Sequence, residues 1–190
     1  MTDETKYVSR AGAKLAGALD AMGIDPAGWV CADFGCNVGG FTDCLIQRGA
    51  AKVYAVDTGY GALAWTMRQH DRVEVMERTN VLYCDIPAAV DLVVIDVGWT
   101  PQVKVIPTAA KWLRPGGRIV SLLKPTFEYD KQHPNERRDK RVPLTAEQTQ
   151  AVIDGVVAGL AEIGFAPTQI VESPLLGKGG NHEYLLEFVL

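Results

Sequence analysis

"WVCADFGCNVGGFTDCLIQRGAAKVYAVD", residues 29–57, decides the fold. "WVCADFG" reads as a strand running into glycine. "GGFTDCLIQRG" reads as a helix that turns Phe41, Leu45 and Ile46 inward and closes at Gly49. "AKVYAVD" is a second strand, and it ends in an acid. Working outward, the alternation continues in both directions. Upstream, "SRAGAKLAGALDAMGI" places Ala11, Leu15, Ala18, Leu19 and Met22 on one helical face, with Ser9 as its cap. Downstream come a short helix around 62–68, a strand "RVEVME" and a strand "VDLVVIDV", the last almost wholly apolar as a strand covered on both faces should be. A helix over 102–112 stops at "RPGG", and "GRIVSLLK" is the fifth strand. A long helix follows Thr145, and "FAPTQIVES" and "EYLLEFVL" close the chain as a strand pair. Strand and helix in alternation, then two strands, predict an α/β fold: a doubly wound, mostly parallel seven-stranded sheet with a C-terminal antiparallel hairpin.

The 190 residues suit a single domain, residues 1–190, with 47% apolar and 22% charged side chains, an ordinary globular balance. No apolar stretch reaches the roughly 18 residues a membrane helix needs. "MTDETKYVSR" lacks a signal-peptide core, so a cytoplasmic location is expected, with no membrane partner. Four cysteines stand at 31, 36, 44 and 84 without a Cys-x-x-Cys pair, which predicts reduced buried thiols and no metal site. The net charge of −4 weighs against a polyanionic partner, although Arg10, Lys14 and "NERRDKR" at 135–141 leave room for a local basic patch.

Ligands of such sheets bind beyond the carboxyl ends of the strands. At the first of these ends, "DFGCNVGGFT" supplies Gly35, Asn37, Gly39, Gly40 and Phe41, a turn that lets backbone approach a ligand before a helix N-terminus. It is not a G-x-G-x-x-G turn. Asp57, ~22 residues after Gly35, can accept both hydroxyls of a ribose. Thr79 and Asn80 stand where an adenine edge would be read, and Asp85 competes with Asn80 for that place. With no second nucleotide-binding half in so short a chain, S-adenosylmethionine fits better than a dinucleotide.

The fourth strand ends at Asp96 and the fifth at Lys124, where Pro125 stops it. Lys124 is either a strand tip emerging into water or an amine held over a pocket. Glu183 begins the last strand, sharing one face with Glu187 while Tyr184, Leu186 and Phe188 share the other. Lys14 sits beside the apolar stripe of the first helix.

"YVSRAGAKLAGAL", the 33–65 segment, "VMERTNV", "LVVIDV", "LLKPTFE" and "GKGGNHEYL" resemble, in order and over nearly the whole chain, the FtsJ-like ribosomal RNA 2′-O-ribose methyltransferases of the hemolysin A branch. The resemblance implies a Rossmann-like fold that binds S-adenosylmethionine, and RNA, ribosomal RNA in this branch, as substrate. It also implies a Lys-Asp-Lys-Glu tetrad, which falls by motif on Lys14, Asp96, Lys124 and Glu183, with Asp96 also at the cofactor. A ribose hydroxyl needs a base, and a lysine serves only when neutral, a state favoured by a nearby like charge and a dry setting. Lys124 would be that base, Lys14 the like charge, Asp96 the group orienting the amine, and Glu183 the holder of Lys14 or of the ribose. Three features depart from the branch. The chain starts at "YVSRAG" without an RNA-binding module ahead of it, the loop after Asp96 reads "GWTPQ", and the turn reads "GCNVGGFT". RNA affinity would then come from a local patch, a separate partner protein or the ribosome itself. A methyltransferase acting on a small molecule or protein, and a non-catalytic S-adenosylmethionine-binding protein, remain alternatives. "FEYDKQHPNERRDKRVP" reads as a loop whose 127–141 part could close as a lid.

Overall fold

A computed structural model describes residues 6–85, 87–98, 100–135, 139 and 142–190. The elements run α1 (Ala11–Met22), β1 (Val30–Phe34), α2 (Gly40–Gln47), β2 (Lys52–Val56), α3 (Trp65–Arg68), β3 (Val73–Met76), β4 (Val90–Ile95), α4 (Gln102–Ala110), β5 (Leu113–Leu123), α5 (Pro125–Gln132), α6 (Ala146–Glu162), β6 (Gln169–Glu172) and β7 (Tyr184–Val189). The seven strands form one sheet in the order β3-β2-β1-β4-β5-β7-β6. Only β7 runs against its neighbours. The last strand therefore slots between β5 and β6 instead of lying at the edge.

Alternation along each strand explains why both sheet faces are covered. From β4, Val93 and Ile95 join Phe34, Trp112, Ile119, Leu186 and Phe188 under α4 and α6. Leu92 and Val94 point the other way, to Leu15, Leu19, Leu45 and Leu185 under α1 and α2. Trp112 meets Phe34 edge-on, with ring centroids 5.0 Å apart. Burying side chains of this size contributes roughly 1.5–3 kcal/mol each, so the two layers dominate the stability. The β7 alternation places Glu183 and Glu187 on the α1 side and Tyr184, Leu186 and Phe188 on the other, as its pattern predicts. Buried Glu187 pairs with Arg118 in the middle of β5 and accepts from Thr168 Oγ1 at 3.1 Å.

Two local expectations are corrected. Ser9 does not cap α1 with its side chain: the helix starts after Arg10, and Ser9 offers only its carbonyl, to Gly12 N at 3.1 Å. Its hydroxyl faces Gly40 instead. Pro125 does end the strand but also opens α5, because its fixed φ and missing N–H suit the first helical position. The first part of the segment read as a loop is therefore helix. Positions 136–138, 140 and 141 of the expected basic patch and lid, and Trp99 of the "GWTPQ" loop, lie outside the described residues. Thr145 does cap α6, in a reciprocal box with Gln148: Thr145 Oγ1 accepts from Gln148 N, and Gln148 Oε1 accepts from Thr145 N. Among the described residues, no helix is long and apolar enough to cross a membrane. Cys31, Cys36 and Cys44 are buried free thiols, and Cys84 is half-buried and free.

Candidate functional site

The carboxyl ends of β1, β2, β4 and β5 are tied edge to edge. Gly35 N donates to Val56 O at 2.8 Å, and Asp96 N to Phe34 O at 2.9 Å. Gly35 has φ +84, and a Cβ there would meet the Asp96 carbonyl oxygen at 2.5 Å. Only glycine lets the turn and the end of β4 come this close. Gly39, with φ +101, and Gly40 lead into α2. A Cβ on Gly40 would lie 2.2 Å from Ser9 Oγ and 2.9 Å from Gly12 N, so α1 and the turn touch through their backbones.

Asp57 joins two of the loops. Its Oδ2 accepts from Asn37 N at 2.9 Å and its Oδ1 from Gly59 N at 2.7 Å. It therefore caps its own loop and also braces the glycine turn, where Asn37 is held at φ +45. Each oxygen has a second lone pair, and Asp57 lines the cavity beside it. Glu77 shapes the far side of the same loop by accepting from Gly61 N at 2.9 Å and from Arg68 at 2.6 Å; the guanidinium holds its carboxyl below the usual carboxylate range.

A cavity of ≈ 560 Å³ opens over these strand ends. Such a volume lies within the roughly 300–1,000 Å³ of small-molecule sites. Asp57, Thr79, Asn80, Asp96 and Lys124 reach its wall beside apolar Val56, Val81, Val97 and Phe127. A smaller recess of ≈ 90 Å³ shares Gly35, Asn37 and Asp96 and adds Ser9, Gly40 and Phe41. Asp85 is exposed and belongs to neither lining. Two carboxylates beside apolar walls and glycine-turn backbone suit a ligand that carries positive charge at one end and a hydroxylated, aromatic body at the other. S-adenosylmethionine has that chemistry.

The four tetrad positions form two ion pairs. Lys124 Nζ donates to Asp96 Oδ1 at the cavity wall, with the amine 5.7 Å from the centre of the Phe127 ring. Lys14 Nζ donates to Glu183 Oε2 at 2.5 Å, and both side chains are buried. Glu183 is in contact with Lys14, one of the two partners expected for it. Lys14's charge is thus matched by Glu183, and its contact is to that carboxylate and not to Lys124. Gly177 makes room for the pair: a Cβ there would sit 2.0 Å from Glu183 Oε1.

Two features escaped the sequence reading. Asp33, at the end of β1, is fully buried; its Oδ2 accepts from Thr42 Oγ1 at 2.6 Å, and its Oδ1 has no partner. Burial pushes its carboxyl up to about 7 against the pull of the Thr42 hydroxyl, and Asp96 and Asp57 push it further. An acid two residues before the turn glycine was the available signal. The second is a buried polar cluster of Gln102, Ser121 and Glu128, which no motif marks. Among the described residues, no group of three or more His, Cys, Asp or Glu side chains is placed to hold a metal ion.

Residues 7–189 match the model of the FtsJ-like methyltransferase family. The chain is 39% identical to the 16S/23S rRNA (cytidine-2′-O)-methyltransferase TlyA of Mycobacterium tuberculosis, over 96% of its own length and 68% of that protein's. It is 33% identical to hemolysin A of Brachyspira hyodysenteriae, covering 97% of this chain and 78% of that one. The solved structure of a candidate hemolysin from Lactococcus lactis superposes with a TM-score of 0.87 at 31% identity, covering 97% of this chain and 89% of the other.

Proposed function

The chain belongs to the FtsJ-like methyltransferase family, whose cofactor is S-adenosylmethionine, and from that premise we propose that it methylates a ribose 2′-hydroxyl of RNA, ribosomal RNA above all. The observation that carries the reading is the Lys124–Asp96 pair on the wall of the ≈ 560 Å³ cavity. The relative from M. tuberculosis, named for 2′-O-methylation of cytidine in rRNA, supports the choice of substrate.

In this reading the backbone of Gly35–Gly40 with Asn37 and Phe41 receives the methionine end of the cofactor, Asp57 the ribose hydroxyls, and Thr79 with Asn80 the adenine edge. Asp96 borders both that site and the acceptor. Bound there, S-adenosylmethionine supplies a methyl group on a sulfonium, an electrophile that needs no activation by the protein. The chain's own task is the nucleophile. Lys124, in its neutral form, would take the proton from the ribose 2′-oxygen as that oxygen bonds to the methyl carbon, whose bond to sulfur breaks to leave a neutral thioether. Asp96 accepts from the lysine amine, fixes its direction, and balances the ammonium that results. Lys14 and Glu183 hold α1 to the start of β7 behind the acceptor.

The test begins with calorimetric titration of the protein with S-adenosylmethionine. Ribosomal subunits and total RNA are then offered with labelled methyl donor, for the wild type and Lys124→Ala. The expected result is label on a ribose 2′-oxygen and a loss of about 10²–10⁴-fold in the variant, the usual contribution of a general base. Label on a small molecule or protein instead of RNA would overturn the substrate assignment. Undiminished turnover by Lys124→Ala would overturn the base.

A further inference from the structure

The backbone amide that opens α4 finds its partner outside its own helix. α4 follows Pro101 and has no side-chain cap of its own. Gln102 N donates instead to Glu128 Oε1, on the first turn of α5, at 3.0 Å. The Gln102 side chain turns to β5: its Nε2 donates to Leu122 O at 3.2 Å, and its Oε1 accepts from Ser121 Oγ at 2.7 Å. Gln102, Ser121 and Glu128 are all buried, and none of them lines the cavity.

This cluster joins the segments that carry the Lys124–Asp96 pair. The stretch from Asp96 to Gln102 contributes Val97, Gly98 and Thr100 to the cavity wall. Leu122 lies two residues before Lys124 on β5. Glu128 adjoins Phe127, which lines the cavity beneath the lysine amine. A buried helix end must have its amides satisfied, and a carboxylate does so best because its charge complements the helix dipole. A fully satisfied buried network is also stiff, since each rearrangement would strand a polar group.

We propose that Glu128 is a positioning residue: by gripping the first amide of α4 it locks α4, α5 and β5 together and thereby fixes the geometry in which Asp96 meets Lys124. The inference rests on the reading of Lys124 as base for its consequence in catalysis, but the geometry it predicts is measurable without turnover. Glu128→Gln keeps an oxygen that can accept from Gln102 N. Glu128→Ala removes it and leaves the amide stranded.

Competitive labelling of lysine amines with isotopic acetic anhydride, read by mass spectrometry across pH, reports the surroundings of Lys124 relative to exposed Lys178. Glu128→Ala is expected to change the Lys124 labelling ratio by about threefold or more, with Glu128→Gln close to wild type, because a loosened supporting shell leaves a site misplaced. The kcat for methyl transfer to ribosomal subunits should fall by about 10- to 100-fold in Glu128→Ala, with the dissociation constant for S-adenosylmethionine nearly unchanged, and recover in Glu128→Gln. A purely structural role would lower the melting temperature and leave labelling and kcat of the folded protein alone. Wild-type labelling in Glu128→Ala, or equal damage in Glu128→Gln, overturns the proposal. If Glu128→Ala does not fold, Glu128→Met keeps the volume and removes the acceptor, and the same comparison applies. Full turnover by Lys124→Ala would sink the base assignment, while the labelling ratio would still decide the role of Glu128.

Discussion

Lys14 Nζ and Glu183 Oε2 lie 2.5 Å apart although 169 residues separate them in the chain, and their side chains are only 9% and 8% exposed. The pair fastens α1 to the entrance of β7. Removing one partner strands the other charge in a dry setting, which costs about 3–5 kcal/mol. Glu183→Ala should therefore show a sharply lowered urea midpoint, and the double variant Lys14→Met with Glu183→Leu should recover most of it. A wild-type midpoint for Glu183→Ala would show that the pair holds nothing.

Gly177 is glycine for space. Its φ of −70 is open to any residue, yet a Cβ would stand 2.0 Å from Glu183 Oε1. Gly177→Ala must push that carboxylate off Lys14, and overpacking of this kind costs about 1–3 kcal/mol. Gly155 provides the contrast: it lies inside α6, and a Cβ there meets nothing nearer than Gln132 Nε2 at 4.0 Å. Gly155→Ala should stabilise by about 0.5–1 kcal/mol through helix propensity. Thermal melts of the two variants should move in opposite directions.

Asp33 predicts a pH dependence with an unusual sign. Burial raises its carboxyl from the ordinary 3.8 to about 7. Between those values the unfolded chain has released the proton while the folded protein keeps it, so rising pH favours unfolding. The contribution is fully present below pH 3.8 and is lost by about pH 7. Asp33→Asn cannot ionise. The stability of wild type minus that of Asp33→Asn should therefore fall from mildly acid to mildly alkaline pH, by on the order of 1 kcal/mol or more. A difference that stays flat would show that Asp33 is ionised in the fold.

Periodicity made the architecture legible. The apolar runs of β1, β4 and β5, the amphipathic stripe of α1 and the Thr145 box of α6 are local signals, and the elements they predict are present. Adjacent parallel strands ending at Asp96 and Lys124 had to bring those two side chains to one edge. What stayed hidden depends on contacts between distant segments. Nothing in "PTFEYDKQ" announces that Glu128 will cap a helix 26 residues earlier, and a proline after a strand reads equally as a stop or as a helical first residue. The choice of Glu183 for Lys14, and the burial of Asp33, likewise follow from packing between elements that a one-dimensional pattern does not pair. The Ser9 cap failed for the same reason: Gly40 leaves its hydroxyl a tertiary neighbour, and α1 starts one residue later.

Gly35 gives the most direct route to the cofactor site. Two independent constraints meet there: φ is +84, and a Cβ would come within 2.5 Å of the Asp96 carbonyl oxygen. The first costs a non-glycine residue about 1–2 kcal/mol. The second cannot be relieved by a rotamer, because the obstacle is backbone, so Gly35→Ala must move the turn away from β4 or push the end of β4 aside. Either shift alters the wall shared by the large cavity and the smaller recess, both of which Gly35 and Asp96 line. Calorimetry should show S-adenosylmethionine binding weakened by tenfold or more, roughly the 1.4 kcal/mol of one lost close contact, in a protein that still melts cooperatively. Gly61→Ala is the comparison for the backbone term alone, since φ there is +75 but a Cβ meets nothing within 4 Å. If Gly61→Ala and Gly35→Ala weaken binding equally, strain in the loops is responsible; if Gly35→Ala alone does so, the contact with Asp96 shapes the site.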